Sequence, residues 1–182
     1  MIVGLVGQNC SGKDTAADYF VSKKGFEYYS LSDYLREELE KEGKPVTREN
    51  LGELGNALRA KFVNGILGEK ALEHFRQGKN YIVVSIRHPE EAKALMTRTD
   101  FVLVRLDAPA QARFERMKAR NREEDPKTFE EFLHLEKIEN EGGSGRAIKE
   151  TMDMAKYSID ASGSMDEERT EVGKLCLKLN IT

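Results

Sequence analysis

Five short apolar runs punctuate the chain, at residues 2–6, 26–30, 81–86, 101–106 and 157–161. The third and fourth contain IVVSI and FVLVRL, nearly continuous hydrophobic stretches of the kind that form strands covered on both faces of a parallel sheet. Between the runs lie charge-rich segments with helical spacing. They predict helices over residues 13–24, 32–42, about 47–77, 89–97, 109–121, 129–140, 145–156 and 166–179. Start signals support several of these. Ser32 stands where it would cap the second helix, Asp125 precedes Pro126 as a cap residue, and Thr128 with Glu131 spells a capping box. Strand alternating with helix predicts an α/β domain of three layers, with five parallel strands and right-handed crossovers. Gly142-Gly143-Ser144-Gly145 reads as a turn between two helices, and no internal repeat or linker interrupts the pattern. The expectation is one domain over residues 1–182.

Chemistry enters at the first strand-to-helix junction. Gly7-Gln8-Asn9-Cys10-Ser11-Gly12-Lys13 fits the phosphate-binding pattern Gly-x-x-x-x-Gly-Lys, directly after one strand and directly before a helix. Glycines at both ends let successive backbone N–H groups turn inward around a phosphate, and the helix N-terminus adds a favourable dipole. Lys13 would neutralise β- and γ-phosphate oxygens. Asp14 departs from the usual pattern, which has serine or threonine there for magnesium; Thr15 follows and is the expected metal-side hydroxyl. ATP and Mg2+ are the cofactors this loop implies.

Composition narrows the partners. Lysine plus arginine is 29 and aspartate plus glutamate 32, a formal charge of −3 over 182 residues. A mildly acidic chain is not expected to hold a nucleic-acid polymer or an anionic membrane by bulk charge. No run approaches the ~18 apolar residues of a membrane helix, and the N-terminus lacks the basic flank of a signal peptide. Cys10 and Cys176 make no metal or disulfide pattern, and His74, His88 and His134 have no ligand spacing. These features point to a reduced, cytoplasmic protein acting on small molecules.

The spelling Gly-Lys-Asp-Thr resembles the Gly-Lys-Gly-Thr loop of nucleoside monophosphate kinases, and the next segment extends the likeness. Ser30-Leu31-Ser32-Asp33-Tyr34-Leu35-Arg36 resembles the adenylate-kinase stretch that opens the monophosphate-binding helix. By that resemblance Ser32 and Arg36 would grip the acceptor phosphate, and Asp33 would orient the acceptor or hold magnesium through water. Arg87, at the end of the third strand, resembles the second acceptor-phosphate arginine; Arg59 is a third candidate, from the helical flap expected over about residues 32–78. Arg113, Arg116 and Arg120 share one helix face leading into a lid expected over about residues 113–145. Of these, Arg116 and Arg120, with Arg122 next, would neutralise the phosphoryl group in transit; the plainer alternative is a solvated face balanced by Glu115, Glu123, Glu124 and Asp125. Ser162 and Gly163 resemble the turn beside the adenine base, and Tyr28, Tyr29 or Tyr34 would stack a base.

From the loop through DAPAQARFERMKARNREEDPKTFEEF to AKYSIDASGSMDEE, the layout resembles the dephospho-CoA-kinase-like and adenylate-kinase-related subgroup. That subgroup includes the kinase-like half of some deoxycytidylate deaminases. The resemblance implies a Mg-ATP-dependent kinase acting on a nucleoside or deoxynucleoside monophosphate. Two alternatives stay open: a dephospho-CoA kinase, and a regulatory module that binds nucleotide without turning it over. Val84 and Asp14 favour the last, since many relatives carry at position 84 an aspartate that steers magnesium-bound water, and the arginine set disfavours it.

Overall fold

The computed structural model describes residues 1–62, 64–122, 125–140 and 147–181. Its centre is β1 (Ile2–Val6), which pairs in parallel with β3 (Tyr81–Val84) on one side and β4 (Phe101–Asp107) on the other. The outer strands are β2 (Glu27–Ser30), against β3, and β5 (Tyr157–Asp160), against β4. The order is β2-β3-β1-β4-β5, and every pairing is parallel. Side chains alternate across β1: Val3 and Leu5 enter one core, Ile2 and Val6 the other. Gly4 is required where it stands, since a β-carbon there would lie 2.6 Å from the Phe101 ring.

Helices α1 (Lys13–Lys24) and α9 (Met165–Lys178) cover the first face, burying Phe20, Val172 and Cys176 against Leu5 and Val104. The second face is covered by α2 (Leu31–Lys41), α4 (Ile66–His74) and α5 (Pro89–Met96). Fully burying a side chain such as Phe20 or Leu103 stabilises the fold by roughly 1.5–3 kcal/mol. Between α2 and α4 runs α3 (Arg48–Lys61). Beyond β4, α6 (Ala110–Arg120) and α7 (Phe129–Asn140) close a third cluster around Phe114, Met117 and Phe132, with Cys10 of the loop against it. The short α8 (Ile148–Asp153) leads into β5.

Three expectations change. The helix expected over about 47–77 is two helices, parted at Asn64-Gly65, a local turn signal; Gly65 and Gly68 lie against α5, where β-carbons would come within 2.9 Å of the Glu90 carbonyl and 2.5 Å of the Glu91 carbonyl. Ser30, not Ser32, caps α2; its hydroxyl accepts from the Ser32 amide while Asp33 accepts from the Ser30 amide. Asp125 caps no helix and grips Arg120 instead, whereas Thr128 and Glu131 do form the capping box of α7. Residues 142–145, Glu123 and Glu124 lie outside the described residues, as does the beginning of the helix expected at 145.

Candidate functional site: an anion cradle and an arginine-lined cavity

The strand β1 ends at Val6 and the chain turns at once into the loop. Gly7 is held close to Ser11 and to the Leu106 carbonyl, with room for no β-carbon. Cys10 takes a left-handed conformation (φ 59°) and Gly12 a more extreme one (φ 100°), so the chain coils tightly before α1 begins. No side chain caps α1 at Gly12. Lys13 folds back across the loop, its Nζ donating to the carbonyls of Gly7 and Gln8 at 2.7 Å each and lying 3.4 Å from the Ser11 hydroxyl. Asp14 is exposed and Thr15 half-buried on the first turn. Burial pushes the Cys10 thiol above its ordinary value, so the loop cysteine is not an activated thiolate.

Arg116 reaches across from α6. Its guanidinium donates to the carbonyls of Ala161 (2.6 Å), Gly163 (2.8 Å) and Cys10 (3.4 Å), joining the loop to the turn after β5. Arg113, one turn earlier, is spent elsewhere: it is buried in a two-pronged ion pair with Glu136 of α7, with Nη2 donating to Oε2 at 3.0 Å. The sequence places these two arginines on one face; the fold gives them different partners.

A cavity of about 350 Å³ opens at the carboxyl ends of β2 and β3. Ser32, Arg36, Arg59 and Arg87 all line it, together with Arg120 and Arg122 from the end of α6 and the segment beyond. Leu35, Val46, Leu51 and Leu67 supply an apolar wall. Asp125 is the carboxylate in the lining; a bidentate contact with Arg120 (2.6 and 2.8 Å) holds its pKa below the usual carboxylate range. Arg36 lies 3.5 Å from Asp33, not beside Glu40. At the floor, the Ser30 hydroxyl shares hydrogen bonds of 2.8 Å with those of Ser32 and Ser85, and Ser85 holds a left-handed backbone (φ 64°). Lys13, Thr15 and Arg116 are not among the residues that line the cavity.

Other candidates fall away from the cavity. Tyr29 packs into an aromatic group with His74 and Phe75, Tyr28 is 52% exposed, and neither they nor Tyr34 line it. Val84 is buried in the core beneath α1 and α9, in surroundings that would penalise a carboxylate. Asp107, the last residue of β4, pairs with Arg105 at 2.8 Å. Two acidic residues went unnoticed in the sequence. Glu91 ties Arg59 to the chain at Arg87, and its signal was the capping box His88-Pro-Glu-Glu91. Glu168 packs behind the loop at Gly12, and nothing local marks it.

Loop, parallel sheet and flanking helices define an α/β P-loop kinase fold, the fold of nucleotide and small-molecule kinases. The chain belongs to the AAA_17 family, described as an AAA domain, whose model matches residues 6–133. It is 33% identical to a UPF0200 protein of Thermococcus kodakarensis, over 96% of each chain. It is 30% identical to a longer UPF0200/UPF0201 protein of Archaeoglobus fulgidus, of which it spans 55%. Among solved structures it superposes on shikimate kinase from Bacteroides thetaiotaomicron with a TM-score of 0.65, at 16% identity and covering 99% of this chain and 98% of that one. At that identity the likeness is one of fold alone. Among the described residues no helix is long and apolar enough to cross a membrane.

Proposed function

We propose that the chain is an ATP-dependent phosphotransferase whose acceptor is a nucleoside or deoxynucleoside monophosphate. The observation that carries this is the cavity: Arg36, Arg59 and Arg87 share its lining with Arg120 and Arg122. Guanidinium forks match phosphate geometry, and a site with this excess of positive charge suits an acceptor that is already anionic. The apolar wall of Leu35, Val46, Leu51 and Leu67 would take the base without aromatic stacking.

In this reading the loop amides of residues 7–15 and Lys13 bind the donor phosphates. Ser32, Arg36, Arg59 and Arg87 hold the acceptor phosphate. Arg120 and Arg122 neutralise the group in transit, as the helices around residues 113–145 act as a lid over a flap at about 32–78. Asp33, held by the Ser30 amide, orients Arg36 beside the acceptor. Arg116, bound to the turn at Ala161–Gly163, serves the base side of the donor with Ser162 and Gly163. Oxygen donors suit magnesium, which keeps most of its waters; Thr15 would hold it, and when bound it supplies charge neutralisation to the phosphates. Positioning and charge carry the reaction, with little covalent work for the protein. Such an enzyme would act in the cytoplasm.

Val84, standing where the resemblance implies an aspartate, and Asp14, standing where the loop pattern has serine or threonine, favour a second reading, a nucleotide-binding regulatory module without turnover. A phosphotransfer screen with Mg-ATP against the common ribo- and deoxyribonucleoside monophosphates and dephospho-CoA separates the two, with Lys13→Ala as blank. Transfer to one monophosphate is the expected result. Transfer to dephospho-CoA alone moves the acceptor, and tight ATP binding with silence on every acceptor supports the module.

A further inference from the structure

Glu91 is fully buried (0% exposed) at the start of α5, and Arg59 of α3 is 9% exposed beside it. One carboxylate oxygen, Oε1, accepts from Arg59 Nε at 3.2 Å and Nη2 at 2.8 Å. The other, Oε2, accepts from the backbone amides of Arg87 at 2.8 Å and His88 at 3.2 Å. A cap for α5 needs only the second pair of bonds. The first pair reaches 32 residues along the chain to a side chain that lines the acceptor cavity. Both elements that Glu91 joins therefore deliver an arginine to the same cavity.

The chain at Arg87 is held on its other side as well, since its carbonyl accepts from the Ala147 amide at 2.9 Å. Arg59 is held in plane. With Nε and Nη2 engaged on Glu91, the remaining guanidinium N–H groups are fixed in direction. Gly55, one turn earlier on α3, leaves the space for Nη1, which a β-carbon there would approach to 3.1 Å.

We infer that Glu91 is a positioning residue for the acceptor site: it sets the Arg59 guanidinium and the Arg87 main chain in a fixed mutual placement, so that both side chains address one anionic group. The inference rests on the acceptor-site reading given above. Glutamine cannot replace the carboxylate, because its amide nitrogen would turn a donor toward either Arg59 or the Arg87 amide.

The test uses inorganic sulfate as a probe of the cavity, with the loop first saturated by Mg-ADP, and reads thermal unfolding against sulfate concentration. Wild type is expected to be stabilised by sulfate, and Glu91→Gln and Arg59→Gln to bind it at least tenfold more weakly. The double variant Arg59→Gln/Glu91→Gln removes the buried charges together and is expected to recover stability without recovering sulfate binding. Because Arg59 itself lines the cavity, the double variant reads stability only. Sulfate affinity within twofold of wild type in folded Glu91→Gln would overturn the inference while leaving the acceptor site standing. A wild-type protein with no sulfate response removes the acceptor site, and this inference with it.

Discussion

The carboxyl group of Glu168 occupies the space that a side chain on Gly12 would need: an ideal β-carbon on Gly12 would lie 2.6 Å from the Glu168 carboxyl carbon. Gly12 is thus specified twice, by its left-handed backbone (φ 100°) and by an acidic residue that arrives from α9, at the far end of the chain. Glu168 is 2% exposed, and its Oε1 has no hydrogen-bond partner among the described residues. Gly12→Ala would therefore strain the backbone and displace Glu168 together. It is expected to abolish ATP binding, measured by calorimetry; wild-type affinity would show that the loop tolerates a side chain there.

Burial pushes the Glu168 carboxyl up from its ordinary 4.5 to about 7, against the opposing pull of Arg116 and the Ala16 amide. The folded protein then holds this proton more tightly than the unfolded chain does. Stability contributed by the neutral form is lost as pH rises from about 4.5 to about 7, and the full cost of ionisation is present above that. Glu168→Gln does not titrate. It is expected to unfold several degrees above wild type at about pH 8, with the gap shrinking to a constant residue near pH 4.5. A gap that does not vary with pH would place the proton elsewhere.

Arg113 and Glu136 form a buried pair that holds α6 to α7. Glu136→Gln would leave a buried guanidinium without its counter-charge, at a cost of about 3–5 kcal/mol. Urea unfolding checks the figure. A loss under ~1 kcal/mol, the value of an exposed pair, would mean that water reaches Arg113.

Lys13 crosses the loop proposed to take the donor phosphates, and it belongs to none of the apolar clusters, so its removal takes away a charge and not core packing. Lys13→Ala is expected to cut phosphotransfer by ~100-fold or more with unchanged circular dichroism. Normal turnover would sink the kinase reading.

Arg36 and Arg87 line the cavity from different parts of the fold, α2 and the segment after β3. Arg87→Ala is expected to abolish transfer with the fold intact. Arg36→Ala is expected chiefly to raise the acceptor KM, because Arg36 is exposed and leans on Asp33. Steady-state kinetics with varied acceptor decides; a rise in the ATP KM alone would assign both arginines to the donor.

Much of this protein was legible in order along the chain. The loop, the parallel character of the sheet and the helices at 13–24 and 129–140 were all legible, because each depends on neighbours a few residues away: a run of apolar side chains, a glycine, a cap. What only the tertiary structure decided was which charges meet. Arg113 and Arg116 share a helix face yet take opposite roles, since one faces Glu136 and the other the carbonyls after β5. Arg59 finds Glu91 across 32 residues, and Gly12 meets Glu168 from the other end of the chain. Local propensity is written at short range, whereas the pairing of buried charges depends on how helices stack upon the sheet, and that packing exists only once the chain has folded.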